Sequence, residues 1–190
     1  MSIFEFVAVA VSIILGLGIT RLLSASIDLF RFRKRTRMHW VPITWAVVVF
    51  LTQVFFWWQF FGVTVEVWLF FDFVLTIATA LCLFVAASLV LPAHWSEGDV
   101  DLFAFFRAEG RWGIAAFAAF QVIVIAYNNR IYGIPFTNIL TLASLVLGAL
   151  TLGVVLGRSR RWVGVYTLLF LAVTVSPFLY TYFPTFQDLR

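Results

Sequence analysis

Six apolar runs, each close to twenty residues long and separated by short polar loops, dominate the sequence. A helix rises about 1.5 Å per residue, so a run of this length crosses the roughly 30 Å hydrocarbon layer of a bilayer. We therefore expect six transmembrane helices with short connections. The predicted spans are residues 3–30, 40–61, 67–91, 112–127, 135–156 and 162–183.

The composition excludes a water-soluble fold. Of the 190 residues, 63% are hydrophobic and 12% are charged, whereas a soluble domain carries about 25% charged residues. A soluble chain of this size buries only about 70% of its surface and cannot hide so many apolar side chains. The sequence predicts an all-α integral membrane protein, a single domain over residues 1–190 folded as a compact bundle of about six transmembrane helices.

Lysine and arginine are distributed unevenly among the loops. Ten of the thirteen lie in the loops after the first, third and fifth runs, and only Arg130 and Arg190 lie on the opposite side. By the positive-inside rule, the basic loops are cytoplasmic and both termini are non-cytoplasmic. The ten residues are Arg31, Arg33, Lys34, Arg35, Arg37, Arg107, Arg111, Arg158, Arg160 and Arg161.

Two basic segments have further expected roles. The Arg31–Arg37 stretch is suited to anionic lipids, and membrane orientation explains the basic charge without nucleic acid. Residues 92–111 form the longest loop, in which the amphipathic segment Asp101–Arg107 predicts a short interfacial helix.

The first run lacks a preceding positive region, so we expect it to be retained as a helix. The pattern is typical of a multi-pass protein of the bacterial inner membrane.

Polar residues within the apolar runs are the first functional candidates, because such groups are costly in lipid. Arg21 lies nine residues before Phe30, about 13 Å from the cytoplasmic end of the first helix. Gln121 and Gln53 reach comparable depths, and Asp28 lies two turns from Arg21. We predict a polar cluster of Arg21, Gln53 and Gln121 inside the bundle. It is either a static hydrogen-bond network or part of a solute or ion pathway.

The first run also carries a small or polar residue at every fourth position. Residues with this spacing let another helix approach closely. We interpret this stripe as a helix-packing face within the chain, with a subunit interface or a pore-lining face as alternatives. Its central members are Ser12, Gly16, Thr20 and Ser24.

Further polar residues cluster toward the side opposite the basic loops. Asp72 lies at a predicted depth where its carboxylate can pair with Arg130. Glu5, Glu66 and Asn128 have similar predicted depths. The alternative to a structural ion pair is an acidic vestibule that concentrates cations.

The sequence contains no nucleotide-binding, hydrolase or metalloprotease motif. His39 and His94 both fall at the cytoplasmic interface without a carboxylate spacing that supports a metal, and Cys82 is a small packing residue. We expect no enzyme activity and no cofactor.

Three functional hypotheses follow from these residues. The first is a homo-oligomeric channel or small-solute or ion transporter, in which Arg21 favours anions. The second is a non-conducting structural or accessory subunit of a larger membrane complex. The third is a membrane-embedded lipid-binding protein or enzyme.

Overall fold

The computed structural model describes residues 3–60, 62–63, 68–93 and 100–182, with side chains described as far as residue 175. Long helices make up most of this part of the chain, which confirms the helical fold class. The helices are α1 (Ile3–Arg31), α2 (Trp40–Phe60), α3 (Phe70–Leu89), α4 (Leu102–Phe105), α5 (Arg111–Tyr132), α6 (Ile139–Leu156) and α7 (Arg160–Tyr182).

Within the described residues, five helical segments are long and apolar enough to cross a membrane. They are α1, α2, α3, the continuous segment Leu102–Tyr132 and α6, while α7 occupies the sixth apolar run. These helices fit a multi-pass membrane protein. The side on which the termini lie stays a prediction.

α1 shows how these helices pack although they are apolar all round. Its buried residues recur at spacings of three or four, which places them on one stripe. Large apolar side chains such as Ile13 and Leu23 point away from the bundle, as expected for a helix in lipid. The buried stripe comprises Val7, Val11, Leu15, Gly18, Leu22, Ala25 and Leu29.

The long helices other than α2 contact one another in the order α1, α3, α5, α6 and α7. α2 lies against this row and fills the space with large aromatic side chains. Trp45 packs against Phe117 of α5 and Phe170 of α7, with ring centroids 5.8 and 4.8 Å apart. Its indole Nε1 donates to Thr167 Oγ1 at 3.0 Å. The core therefore lies between α2 and the other helices.

The fourth predicted span begins earlier in the structure than in the sequence prediction. The helix starts at Leu102, continues through a π-helical turn at Phe106–Gly110 and ends at Tyr132. Asp101 caps it, since its Oδ1 accepts from the backbone N–H groups of Phe103 and Ala104 at 2.9 Å. The predicted helix at Asp101–Arg107 is thus present, but it joins α5 directly.

Several apolar side chains of this short segment pack against protein. Leu102, Phe103 and Phe106 are all buried. An amphipathic pattern indicates that one face is shielded from water, but it does not distinguish lipid from protein. The position of this segment at the membrane interface stays a prediction.

A short parallel sheet that the sequence does not predict joins two of the basic loops. Strand β1 (Thr36–Arg37) pairs with β2 (Val100–Asp101), with Thr36 opposite Val100. Arg160 Nη2 donates to Asp101 Oδ2 at 3.3 Å. This contact connects the third basic loop to the sheet. The three basic loops therefore meet at one end of the bundle, hereafter the basic end.

Candidate functional site

Arg21 lines an open groove between α1 and α3, hereafter the Arg21 groove. The groove has a volume of about 390 Å³ and lies on the outside of the bundle. Thr20 and Ser24 are exposed, while Arg21 and Ser88 are partly buried. The lining side chains are Leu17, Thr20, Arg21, Ser24, Phe84 and Ser88.

The groove combines one cation with three hydroxyl groups. Across the described residues, neither a hydrogen bond nor an ion pair is formed by the Arg21 guanidinium, and Asp28 lies 3.9 Å from Arg31 instead. The Oγ of Ser88 is buried and has no hydrogen-bond partner in the same part of the chain. Guanidinium and hydroxyl donors without a carboxylate among the lining residues suit an anion or an oxygen-rich solute.

Gln53 lies on the inner side of the same α1–α3 contact. Its side chain is fully buried, and its Nε2 donates to the Leu83 carbonyl at 3.2 Å. Its Oε1 has no partner among the described residues. Gly18 of α1 packs directly on the amide, because a Cβ at this position would overlap Gln53 Nε2. Gln53 is therefore a core amide between three helices.

Gln121 lies elsewhere in the bundle. It is almost fully buried on α5, and its Cβ lies next to Gly148 of α6. In the described part of the chain, no hydrogen bond joins Arg21, Gln53 and Gln121. The structure places Arg21 on the outer side of the α1–α3 contact and Gln53 on its inner side, and the cluster of the three side chains stays a prediction.

The small-residue stripe of α1 also lies on the outside of the bundle. Ser12, Gly16, Thr20 and Ser24 are all exposed, and a Cβ at Gly16 would meet no atom within 4 Å. Trp57 Nε1 donates to Ser12 Oγ at 3.1 Å. The larger apolar residues of α1 form its buried stripe instead, and the interpretation of the small residues as a helix-packing face within the chain stays a prediction. The subunit-interface and pore-facing interpretations stay predictions.

The ion pair expected at the opposite end is present. Arg130 Nε and Nη2 donate to Asp72 Oδ1 and Oδ2 at 2.6 and 3.1 Å. Asp72 is fully buried and Arg130 is 44% exposed. The Leu69 N–H donates to the same carboxylate at 3.0 Å, so Asp72 also caps α3.

The other polar residues of this end have local positions. Glu5 is exposed in the first turn of α1. The Asn128 carbonyl accepts from the Ile134 N–H at 3.2 Å, where α5 ends. Glu66 lies outside the described residues. Because Asp72 is paired, the geometry supports a structural pair here more than a cation-concentrating vestibule.

The basic end holds a side-chain cluster that sequence reasoning missed, consisting of His39, Asp101, Phe103 and Arg160. The His39 ring lies 4.5 Å from the Phe103 ring, and the Arg160 guanidinium lies 4.8 Å from the same ring. His39 Nδ1 accepts from the Val41 N–H at 3.3 Å. The sequence repeats a cationic residue or histidine before tryptophan at His39–Trp40, Arg111–Trp112 and Arg161–Trp162, which indicates that these three helix starts lie at one interface.

His39 and Asp101 of this cluster have lowered pKa values. Burial of the imidazole, together with the Arg160 guanidinium, lowers the pKa of His39. Backbone hydrogen bonds, first from the Ala104 N–H, lower the pKa of Asp101. His94 lies outside the described residues. Within the ranges that are described, no group of three His, Cys, Asp or Glu side chains could hold a metal ion.

Comparison of the chain with protein-family models, curated proteins and solved structures finds no match. The function is accordingly inferred from the geometry of the chain itself. Asp72 is paired with Arg130 and Asp101 with Arg160, whereas the Arg21 groove presents a cation without a partner among the described residues. The Arg21 groove is therefore the candidate functional site.

Proposed function

We propose that the protein is a homo-oligomeric membrane channel or transporter for small anionic or oxygen-rich solutes. The outer face of α1 forms the subunit contact, and the Arg21 groove faces the pathway. The observation that supports this proposal is the position of Arg21 in an open groove among hydroxyl groups. A membrane helix rarely carries a cation at such a depth without a functional reason.

At this depth, the Arg21 guanidinium of a single copy in lipid needs water or hydrogen-bond acceptors. Arg21 lies about 13 Å from the basic end of α1, and its guanidinium does not lose its proton. Placing an arginine at the centre of a bilayer costs about 2.5–3.5 kcal/mol or more. Water in a pathway, or acceptors on a second copy, would remove this cost.

The exposed stripe supplies the second element of the proposal. Gly16, Thr20 and Ser24 are small, exposed and spaced by four residues. This pattern lets two membrane helices approach until their backbones pack closely. Association through this face places the Arg21 grooves of adjacent copies next to one another.

Anion flux from liposomes tests the proposal. We expect the purified protein to release chloride or nitrate, and Arg21→Gln to lower this flux about tenfold or more, because the positive charge at mid-depth is lost. Arg21→Lys retains the charge and is expected to retain part of the flux. Arg161→Gln removes an exposed cation at the basic end and serves as the matched control. Absence of flux from the unmodified protein, or equal flux from Arg21→Gln, would contradict the proposal.

The same exposed face supports one alternative function, an accessory subunit of a larger membrane complex. A helix of another protein fits the Gly16 stripe as well as a second copy does, because close packing requires only small residues on one side. Purification in a mild detergent separates the two proposals. A homogeneous self-assembled particle supports the channel or transporter, and a stoichiometric foreign protein supports the accessory role.

A further inference from the structure

A second groove, hereafter the apolar groove, lies between α1 and α2 near the basic end. Its volume is about 400 Å³. The polar side chain among its lining residues is Ser26, whose hydroxyl donates to the Leu22 carbonyl at 2.8 Å and is thereby satisfied. The groove is thus a hydrocarbon surface, and it is lined mainly by Leu23, Phe30, Met38, Ile43, Val47 and Phe50.

The basic loop Arg31–Arg37 lies at one end of this groove. Phe30 and Met38, the residues on either side of the loop, both line the groove. The Arg33 guanidinium lies 4.2 Å from the centroid of the Phe30 ring, and its Nη1 donates to the Phe30 carbonyl at 3.0 Å. Five of the seven loop residues are cationic. A hydrocarbon surface therefore continues directly into a concentrated positive charge.

We propose that the apolar groove is a binding site for one anionic phospholipid. An acyl chain occupies the groove, and the phosphate contacts the Arg31–Arg37 loop. The match of an apolar lining to a hydrocarbon chain and of clustered cations to a phosphate identifies the ligand class. This inference is independent of whether the protein conducts a solute.

Charge complementarity selects a phospholipid as the occupant of this groove, because its phosphate is the counter-charge of the Arg31–Arg37 cations. A zwitterionic lipid fits the apolar lining but gains less from the cations. An anionic phospholipid satisfies both halves of the site.

Native mass spectrometry of the purified full-length protein tests the acyl-chain part. The probes are phosphatidylglycerol and phosphatidylcholine with identical acyl chains. We expect one phosphatidylglycerol to be retained preferentially, and Val47→Trp to weaken its binding about tenfold by filling the groove. Val122→Trp places the same side chain at an exposed position of α5 and is the control. If Val47→Trp lowers the helical content, Leu23→Trp fills the groove from the α1 side.

A pair of charge variants tests the headgroup part. Arg33→Gln combined with Arg35→Gln is expected to abolish the preference for phosphatidylglycerol. Arg158→Gln combined with Arg161→Gln removes the same charge elsewhere at the basic end and is expected to preserve it. Equal retention of both lipids by the unmodified protein would overturn the proposal. So would a groove-filling variant that binds phosphatidylglycerol normally, since binding would then be surface electrostatics alone.

Discussion

Asp72 and Arg130 show how one buried carboxylate connects two helices in an apolar bundle. Two N–H···O contacts join the side chains, and the carboxylate also accepts from the Leu69 N–H. Removing one member of a buried pair leaves the other without its counter-charge, which costs more than the pair contributes. The pair therefore fixes the register of α3 against α5 at the end opposite the basic loops.

We expect Arg130→Leu to lower the Tm by about 5 °C or more, because the Asp72 carboxylate stays buried without its cation. Asp72→Asn should lower it less, since the amide oxygen still accepts from Leu69. The double variant should cost less than the sum of the two single changes. Thermal unfolding in detergent measures all three. Strictly additive effects would show that the two residues do not interact.

His39 predicts a dependence of stability on pH. Its pKa is lowered in the folded protein, so the unfolded chain binds the proton at higher pH. The free energy of unfolding therefore falls as the pH drops through the ordinary histidine range toward the lower folded pKa. We expect the Tm to fall between about pH 7 and about pH 5.

The variant His39→Asn is expected to remove this fall in Tm, because asparagine does not titrate and still accepts from the Val41 N–H. His94→Asn removes the other histidine and serves as the control that retains the pH dependence. An unchanged fall in His39→Asn would show that other groups cause it.

Sequence reasoning found the Asp72–Arg130 pair but did not find the surroundings of Arg21. Opposite charges at similar depths on two helices can be matched from hydropathy alone. The direction in which Arg21 points depends on the rotation of α1, and α1 is apolar on both faces, so its pattern does not fix that rotation. The same limitation applies to Gln53 and Gln121. Their similar predicted depths do not show that they lie at different helix contacts.

At the scale of elements, the apolar runs predicted the helix positions closely because membrane-spanning length is a strong constraint. For example, the predicted span of residues 40–61 corresponds to the helix Trp40–Phe60 in the structure. The largest difference is the helix beginning at Leu102, where scattered charges interrupt the apolar pattern and predict a loop. Two-residue strands such as Thr36–Arg37 have no periodicity and cannot be predicted this way.

The exposed face of α1 gives an element-scale prediction. Gly16→Leu meets open space in a single chain, so we expect the monomer to fold with unchanged helical content. We expect the oligomer to weaken by about tenfold or more, because a large side chain separates helices that pack through glycine. Light scattering after size exclusion measures the mass. Ala119→Leu, at an exposed position of α5, is the control. A Gly16→Leu protein of unchanged mass would contradict the α1 interface.

At the scale of the whole molecule, the meeting of three basic loops at one end predicts the labelling pattern of single cysteines. In a chain with Cys82→Ala, we expect Arg35→Cys and Arg158→Cys to react with an impermeant maleimide from the same side of sealed vesicles. Thr137→Cys, between α5 and α6, should react from the other side.

The positive-inside rule assigns the first side to the cytoplasm. Reaction of Arg35→Cys and Arg158→Cys from opposite sides would contradict the arrangement of the basic end. Reaction of both from the extracellular or periplasmic side would contradict only the predicted orientation.

The pairing of β1 with β2 also has a consequence for how the chain is assembled during translation. Thr36–Arg37 is synthesised before α2 and α3, whereas Val100–Asp101 follows them. Two helices, α2 and α3, are therefore synthesised between the first loop and its partner strand. Arg160, which holds Asp101, is made later still. The basic end closes in stages set by the order of synthesis, and a ribosome stalled before residue 100 would leave it open.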